Sequence, residues 1–322
     1  VHFFKCGSDT TTAAVRLARI FTGRDKIVRW GYNGWHDWAC IRDAGISPKV
    51  REDVLTFRYN DLDSLEDVLK RNRDKVACVI MMPLEIEIPH PGFLSGVRDL
   101  AHRYGALFIL DEMRSGFHLA LGGAQEYYGV TPDLATFSKA IANGYAISVL
   151  AGRRDIMETI SQTYFSSGFY TNSLSMATAV ATIKKLQQKR IIDHLWRIGQ
   201  GLIDGLNELA EDVGVEAAAV GISPMPFLVF TDADPEVREA ARHIFYSETT
   251  RRGILFHPNH HWFVSASHTE QDLDHTLDIC EGAFRLVKKE LARGYRAPTG
   301  ISGRDVGVAD DTVVDRGPSQ KS

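Results

Sequence analysis

The sequence predicts an α/β protein, with a mostly parallel sheet in a large domain and a smaller C-terminal α/β domain. Two features of its 322 residues predict this class. Uninterrupted apolar runs, such as residues 76–82 and 107–110, are typical of strands that are buried on both faces of a parallel sheet. Amphipathic helical segments lie between these runs, and an alternation of strands with helices favours parallel pairing.

The predicted large domain comprises residues 1–200 and alternates strands with helices. Apolar side chains at positions 14, 17, 18 and 21 recur at helical spacing, which predicts the first helix. Gly105 is expected to end the helix that runs through Tyr104. The predicted strands are residues 1–4, 26–30, 76–82, 107–110, 134–138 and 147–151, and the predicted helices are residues 13–21, 62–69, 93–104 and 175–188.

The predicted small domain comprises residues 201–292 and is joined to the large domain by a long connecting helix. Its segments, with that helix first, are a helix over 191–212, a strand over 226–230, a helix over 236–252, short strands over 254–256 and 262–265, and a helix over 270–291. Residues 293–322 contain Gly, Pro, Asp and Arg with few large apolar side chains, so we predict that this tail is disordered.

Charge and composition exclude several classes of partner. The net charge of -4 gives no reason to expect nucleic acid or an anionic membrane, and no apolar run approaches the roughly 20 residues that span a bilayer. The scattered cysteines predict a cytoplasmic protein without a disulfide framework or a zinc site; they are Cys6, Cys40, Cys78 and Cys280. The histidines of residues 257–261 lack helical spacing and a matched carboxylate, so no metal site is predicted.

An acid and an amine follow two of the predicted strands. Asp111 comes where the strand over 107–110 ends, and Lys139 directly follows the strand over 134–138. Ligands of open α/β sheets bind beyond the carboxyl ends of strands. Pyridoxal phosphate (PLP) chemistry needs both groups, because a lysine forms the Schiff base and an acid keeps the pyridine nitrogen protonated. An Asp and a Lys on two strands are also common without a shared function.

Two loops have the composition of a cofactor site. Residues 7–9 (Gly-Ser-Asp) join a strand to a helix, so they form either an anion site at a helix N-terminus or a plain N-cap. A second possible anion site is the loop over residues 166–172. The aromatic side chains of residues 30–38 lie between glycines, where they either stack on a flat ring or anchor the loop.

These motifs, taken together, resemble a known family. In chain order they are residues 7–9 (Gly-Ser-Asp), 17–19 (Leu-Ala-Arg) with 22–26 (Thr-Gly-Arg-Asp-Lys), 110–112 (Leu-Asp-Glu), 122–125 (Gly-Gly-Ala-Gln), 128–134 (Tyr-Gly-Val-Thr-Pro-Asp-Leu), 138–139 (Ser-Lys) and 263–269 (Phe-Val-Ser-Ala-Ser-His-Thr). From residue 1 to residue 286 the chain resembles class III PLP-dependent aminotransferases of the glutamate-1-semialdehyde aminomutase-like branch. The resemblance implies the PLP-dependent transferase fold of type I.

The resemblance also implies roles for individual residues. Lys139 forms the Schiff base and moves the proton between the substrate carbon and the cofactor, while Asp111 pairs with the pyridine nitrogen. The backbone of Gly7 and Ser8 holds the phosphate.

Further contacts implied by the resemblance complete the cofactor site. Tyr32 stacks on one face of the ring and Met113 lies on the other. Members are homodimers with active sites at the interface, so the loop from Ser167 to Thr171 is expected to approach the partner subunit's phosphate, with Thr171 as a binding residue.

Several positions depart from the family pattern. Asn33 stands where members usually have His, Met82 where they have Glu, and Gly168 where they have the phosphate-contacting Thr. The loop over residues 83–91 is shorter. Members also carry an N-terminal segment before the position of Val1, which contributes to the small domain and to substrate contacts. Lys139 and Asp111 are intact, so PLP chemistry is still implied, whereas the substrate is open.

The resulting functional prediction is a PLP enzyme that moves an amino group on small amino and keto substrates. It is either a transaminase or an aminomutase, and no residue distinguishes the two. A PLP decarboxylase or racemase on the same fold is one alternative. A catalytically impaired homologue that acts as a subunit or binding protein is another, although the presence of both Lys139 and Asp111 argues against it.

Overall fold

The computed structural model describes residues 1–42, 44–166 and 168–298, and its larger sheet has seven strands. They are β1 (His2–Phe4), β2 (Lys26–Trp30), β3 (Val54–Thr56), β4 (Val76–Met81), β5 (Leu107–Asp111), β6 (Leu134–Phe137) and β7 (Ser148–Gly152). Their order across the sheet is β1-β7-β6-β5-β4-β2-β3. Only β7 runs antiparallel to its neighbours within this sheet. The mostly parallel sheet is therefore confirmed.

Helices cover both faces of this sheet. They are α1 (Gly7–Thr22), α2 (Pro48–Arg51), α3 (Leu62–Arg71), α4 (Phe93–Arg103), α5 (Ala124–Tyr127), α6 (Arg154–Glu158) and α7 (Ser173–Gln188). Successive side chains of a strand point to opposite faces. Ile80 and Ile109 accordingly pack in the core under α1, while Val79 and Phe108 pack in the core under α3 and α4. Burial on both faces explains the apolar runs of β4 and β5.

The C-terminal part has its own apolar core. Its elements are α8 (Ile191–Val213), β8 (Ala217–Ile222), β9 (Met225–Phe230), α9 (Pro235–Arg251) and α10 (Glu270–Ala292), with β8 and β9 paired antiparallel. Leu206, Phe245 and Phe284 lie in this core. The predicted domain boundary after residue 200 falls inside α8, and the division into two domains stays a prediction.

The predicted strands over 254–256 and 262–265 are wrong, because this stretch is irregular. Trp262 donates its N–H to the carbonyl of Pro226 (2.8 Å), and Val264 donates to the carbonyl of Pro224 (3.1 Å). In a pair of β-strands each strand donates N–H groups to the other, and Pro224 and Pro226 have no N–H to donate back. The contact therefore stops at single bonds instead of forming a third strand beside β9.

The predicted tail begins within the described residues and continues beyond them. Tyr295 places its hydroxyl 2.8 Å from Nδ1 of His243, and the two rings stack. Residues 299–322 lie outside the described residues.

Candidate active site

Asp111 is the last residue of β5 and is buried at 1% exposure. Its Oδ2 accepts a hydrogen bond from Asn33 Nδ2 (3.0 Å), and its Oδ1 accepts bonds from the Met113 N–H (3.1 Å) and the Thr136 hydroxyl (3.3 Å). Burial raises the pKa of Asp111, while these donors and the charge of Lys139 oppose the rise. The donors favour the ionised carboxylate, which is the form that can pair with a protonated nitrogen.

Lys139 lies at the same edge of the sheet. Asp111 is paired in register with Thr136, and Lys139 follows three residues later, at the start of a 3-10 turn over Lys139–Ala142. Its φ of 44° is in the left-handed region, which costs a non-glycine residue roughly 1–3 kcal/mol and is typical of functional sites.

The amine of Lys139 is perturbed by its surroundings, although the residue remains exposed. Loss of hydration lowers its pKa, the Asp111 carboxylate opposes this, and the Arg114 charge adds to it. Among the described residues no ion pair within 4.0 Å joins Lys139 to Asp111. The two groups are therefore close enough to influence each other's pKa without forming a direct ion pair.

The N-terminus of α1 lies at the same sheet edge. Strand β1 runs in the direction of β6, with β7 between them, so α1 begins where β5 and β6 end. Its N-cap residue Cys6 is extended and provides no side-chain cap, which leaves the N–H groups of Gly7 and Ser8 available to an anion. A Cβ on Gly7 would lie 2.9 Å from Sδ of Met113, so the glycine allows that close packing.

The other residues predicted to contact the cofactor lie on separate segments of the chain. Ser8 Oγ accepts the N–H of Trp35 (3.3 Å), and Tyr32 in the same loop is half-buried. Met113 is buried against Gly7. Thr171 is exposed, directly before α7, and Ser167 lies outside the described residues. The ring contacts of Tyr32 and Met113 and the phosphate contact of Thr171 stay predictions.

Sequence reasoning recognised Asn33 only as a departure from the family pattern. The structure adds that it is buried and donates to Asp111, while its Oδ1 is buried and has no hydrogen-bond partner among the described residues. Buried polar atoms are rarely left without partners. The structure thus leaves one buried acceptor without a partner beside the Asp111 carboxylate.

Arg114 and Glu85 form a second charged feature that sequence reasoning missed. Glu85 follows β4 and Arg114 follows the neighbouring β5, and Arg114 Nη1 lies 2.9 Å from Glu85 Oε1. Their side chains are 10% and 17% exposed. The signal available in the sequence was only a charged residue after each of two adjacent strands.

Histidines from two segments meet near this pair. The His118 ring contacts Phe263, and His260 and His261 contact the same phenyl ring. Burial lowers the pKa of His261 to about 2, and the charges of Arg114 and Lys139 act in the same direction. No cluster of three potential metal ligands occurs among residues 1–42, 44–166 and 168–298. In those same ranges, every helix is too short or too polar to cross a membrane.

The residues at this sheet edge fit PLP. Asp111 suits the pyridine nitrogen, Lys139 suits the aldehyde, and the uncapped start of α1 suits the phosphate.

Comparison with known proteins agrees with this fit. Residues 1–222 match the family described as aminotransferase class-III. The 3-aminobutyryl-CoA aminotransferase of Cloacimonas acidaminovorans (strain Evry) is 41% identical over 294 residues, which cover 89% of this chain and 71% of the relative. The glutamate-1-semialdehyde 2,1-aminomutase of Desulfatibacillum aliphaticivorans is 33% identical, with 89% and 75% covered.

Solved structures agree at the level of the fold. The FumI protein of Sphingopyxis sp. MTA144, solved in its PLP internal aldimine form, superimposes with a TM-score of 0.86 at 30% identity, covering 90% of this chain and 72% of that one. The β-phenylalanine aminotransferase of Variovorax paradoxus gives a TM-score of 0.78 at 26% identity, with 90% and 70% covered.

Proposed function

The chain belongs to the class-III aminotransferase family, whose cofactor is PLP, and on that premise we propose that its site moves an amino group on small amino and keto substrates. The observation that carries the proposal is the meeting of Asp111 and Lys139 at one sheet edge, on neighbouring strands. The proposed enzyme acts as a transaminase or as an aminomutase.

Each site residue has one task in the proposed mechanism. PLP, when bound, supplies a ring that accepts the negative charge left after a substrate carbon loses its proton. Three donors favour the ionised carboxylate of Asp111 against the effect of burial, and that carboxylate would hold a proton at the ring nitrogen. Lys139 would bind the aldehyde of PLP and, once the amino group of the substrate had displaced it, its free amine would carry the substrate proton. Its lowered pKa makes the neutral amine more available for that task.

Binding and orientation are assigned to the surrounding backbone and side chains. The N–H groups of Gly7 and Ser8 hold the phosphate, helped by the positive end of the α1 dipole. Tyr32 and Met113 orient the ring from its two faces, and Thr171 serves the partner subunit's phosphate.

The protein is proposed to work as a homodimer. Large apolar side chains are exposed on the segments that follow Lys139: Tyr145, Tyr164, Phe169, Leu174 and Val180. Helix α7 packs against the turn that carries Lys139, so this surface adjoins the site. Sedimentation velocity tests the proposal, which a monomer that is active with PLP would contradict.

A cytoplasmic location is proposed from the thiols. All four cysteines are free, and Cys78 and Cys280 are buried. A reducing compartment preserves such thiols.

The relatives suggest the kind of substrate. Their names refer to 3-aminobutyryl-CoA, glutamate-1-semialdehyde and β-phenylalanine, which are all amino compounds with a carbonyl group, the first of them as a coenzyme A thioester. A screen of amino donors and keto acceptors distinguishes the two activities, because a transaminase needs two substrates and an aminomutase turns over with one. Release of CO₂ or loss of chirality alone would indicate a decarboxylase or a racemase instead.

The decisive experiment removes the amine. Lys139→Ala is expected to lose the visible absorption band that PLP gives when it is held by a lysine. The matched control is Lys70→Ala, because Lys70 is an exposed lysine that pairs with Glu66 on α3. An unchanged band in Lys139→Ala would refute the assignment.

A further inference from the structure

The Arg114–Glu85 pair is the charged feature of the site that the proposed mechanism does not use. Both residues follow strands that are adjacent in the sheet, at the edge where Asp111 and Lys139 lie. Arg114 is only three residues beyond Asp111. The pair is thus part of the same edge and is mostly buried.

Most N–H donors of the Arg114 guanidinium make no hydrogen bond among the described residues. Arginine carries five N–H donors in a planar fork that matches a carboxylate. Among the described residues its side chain makes one hydrogen bond, from Nη1 to Glu85 Oε1. A buried guanidinium with most of its donors uncommitted is suited to a second planar acceptor.

The titratable groups around Arg114 do not oppose a second anion. Burial lowers the pKa of His118 and His260, and the charge of Arg114 lowers it further at His260. These rings are therefore neutral near pH 7, and they do not add cations that would repel Arg114. Glu85 and Asp111 balance the charges of Arg114 and Lys139, so an incoming carboxylate meets no excess of negative charge.

A purely structural role explains the pair less well. Burying two charges costs several kcal/mol per ion by order of magnitude, and apolar side chains of similar volume often stabilise a protein as much. An ion pair with one hydrogen bond, located next to the amine and the acid of the site, gains little stability for that cost. A binding role accounts for both its position and its unused donors.

Resting on the proposed function, we infer that Arg114 binds a carboxylate of the amino acid or keto acid substrate, with Glu85 holding the guanidinium in position. The carboxylate takes the N–H groups that Glu85 leaves free. Glu85 competes with the substrate carboxylate for the guanidinium of Arg114. Removing the Glu85 carboxylate should therefore strengthen substrate binding, whereas removing the guanidinium should weaken it. At least one substrate of the enzyme is then a carboxylic acid.

The inference is tested with glutarate, a dicarboxylate without an amine or a keto group, and with its neutral diamide. Binding of each to the PLP-loaded protein is measured by isothermal titration calorimetry. Arg114→Gln is expected to weaken glutarate binding roughly 10- to 100-fold, which corresponds to the loss of charge-assisted hydrogen bonds. Glu85→Gln is expected to tighten it, and the diamide is expected to bind weakly to every variant.

Two further variants complete the design. Arg114→Lys keeps the charge without the fork, so it should lie between Arg114→Gln and the wild type. Arg285→Gln removes an exposed arginine that pairs with Glu281 on α10, and it should leave glutarate binding unchanged. If Arg114→Gln does not fold, Arg114→Lys and Glu85→Gln still have to move the affinity in opposite directions.

The outcomes separate this inference from the proposed function. Wild-type glutarate affinity in Arg114→Gln, with the visible PLP band intact, overturns the carboxylate site and leaves the PLP function standing. Equal binding of the diamide and glutarate overturns it too. A PLP band that shifts in Arg114→Gln while glutarate affinity stays unchanged also overturns it, since Arg114 then contacts the cofactor. The proposed PLP function is tested separately, by the visible absorption band of Lys139→Ala.

Discussion

Removing the amide of Asn33 tests how the acid of the site is kept ionised. Within the described residues Asn33 is the donor to Oδ2 of Asp111, at 3.0 Å, while the other donors reach Oδ1. A hydrogen bond to a charged group contributes about 1.5–3 kcal/mol. One pKa unit corresponds to about 1.36 kcal/mol, so Asn33→Ala should raise the pKa of Asp111 by roughly one to two units.

The sign of the effect follows from the form of Asp111 that is needed. The carboxylate is ionised above its pKa, and burial has already raised that pKa. A further rise means that the ionised form is present only at higher pH. PLP affinity should therefore fall on the acid side first, with the acid limb of its pH profile moved up by about one to two pH units.

The free energy of unfolding should change much less than the PLP affinity in Asn33→Ala. Asn33→Ala also removes the buried Oδ1, which has no partner among the described residues and whose unmet hydrogen bond costs about 1–3 kcal/mol. This gain offsets much of the lost bond to Asp111, so the free energy of unfolding at neutral pH should change little.

The assay is a PLP titration, followed by visible absorbance, from about pH 5 to about pH 9 in even steps. The matched control is Asn207→Ala in the C-terminal part, where the amide bonds both backbone groups of Ala219. That variant should lose stability and keep the acid limb in place. An acid limb that does not move in Asn33→Ala would refute the role given to Asn33.

Two other substitutions test the cofactor cradle and the sheet. Gly7→Ala would place a Cβ 2.9 Å from Sδ of Met113, so PLP affinity should fall several-fold by titration and recover in part with Met113→Ala; unchanged affinity would contradict the close packing. Burial opposes ionisation of Asp133, but the N–H of Phe108, His102 and Arg153 together lower its pKa. Its stabilisation is present above its unfolded pKa of about 3.8 and is lost as pH falls through the lower folded value. Asp133→Asn should then cost about 2 kcal/mol in urea unfolding at neutral pH and much less in acid, and an equal cost at both pH values would contradict this.

Local patterns predicted much of the fold because they report burial directly. The apolar runs of β4 and β5 are buried on both faces, and α10 has the Thr269–Asp272 capping box. Strand β8 was missed because its Ala217–Ile222 sequence has little β propensity and is held by pairing with β9. The incorrectly predicted strand at 262–265 depended on prolines in a distant segment, which no local pattern reveals.

A site residue can be proposed from the sequence where it lies beside a recognisable strand. Asp111 ends one such strand and Lys139 closely follows another. The bond from Asn33 to Asp111 joins residues 78 positions apart, and the Arg114–Glu85 bond spans 29. Such partners are determined by strand order, which the sequence does not state.

The buried side chain of Glu112 holds together the segment that carries Asp111 and Arg114. The Glu112 carboxylate accepts bonds from the Ser115 hydroxyl and from the N–H groups of Ala124 (2.9 Å) and Gln125 (2.7 Å). Gly123 has a φ of +84°, and a Cβ there would lie 2.6 Å from that carboxylate, so the loop closes tightly around it. Asp111 precedes Glu112 and Arg114 follows it on this closed segment. This closed loop therefore fixes Asp111 and Arg114 relative to each other, so a ring held by Asp111 and a substrate carboxylate held by Arg114 would have a separation that the protein sets.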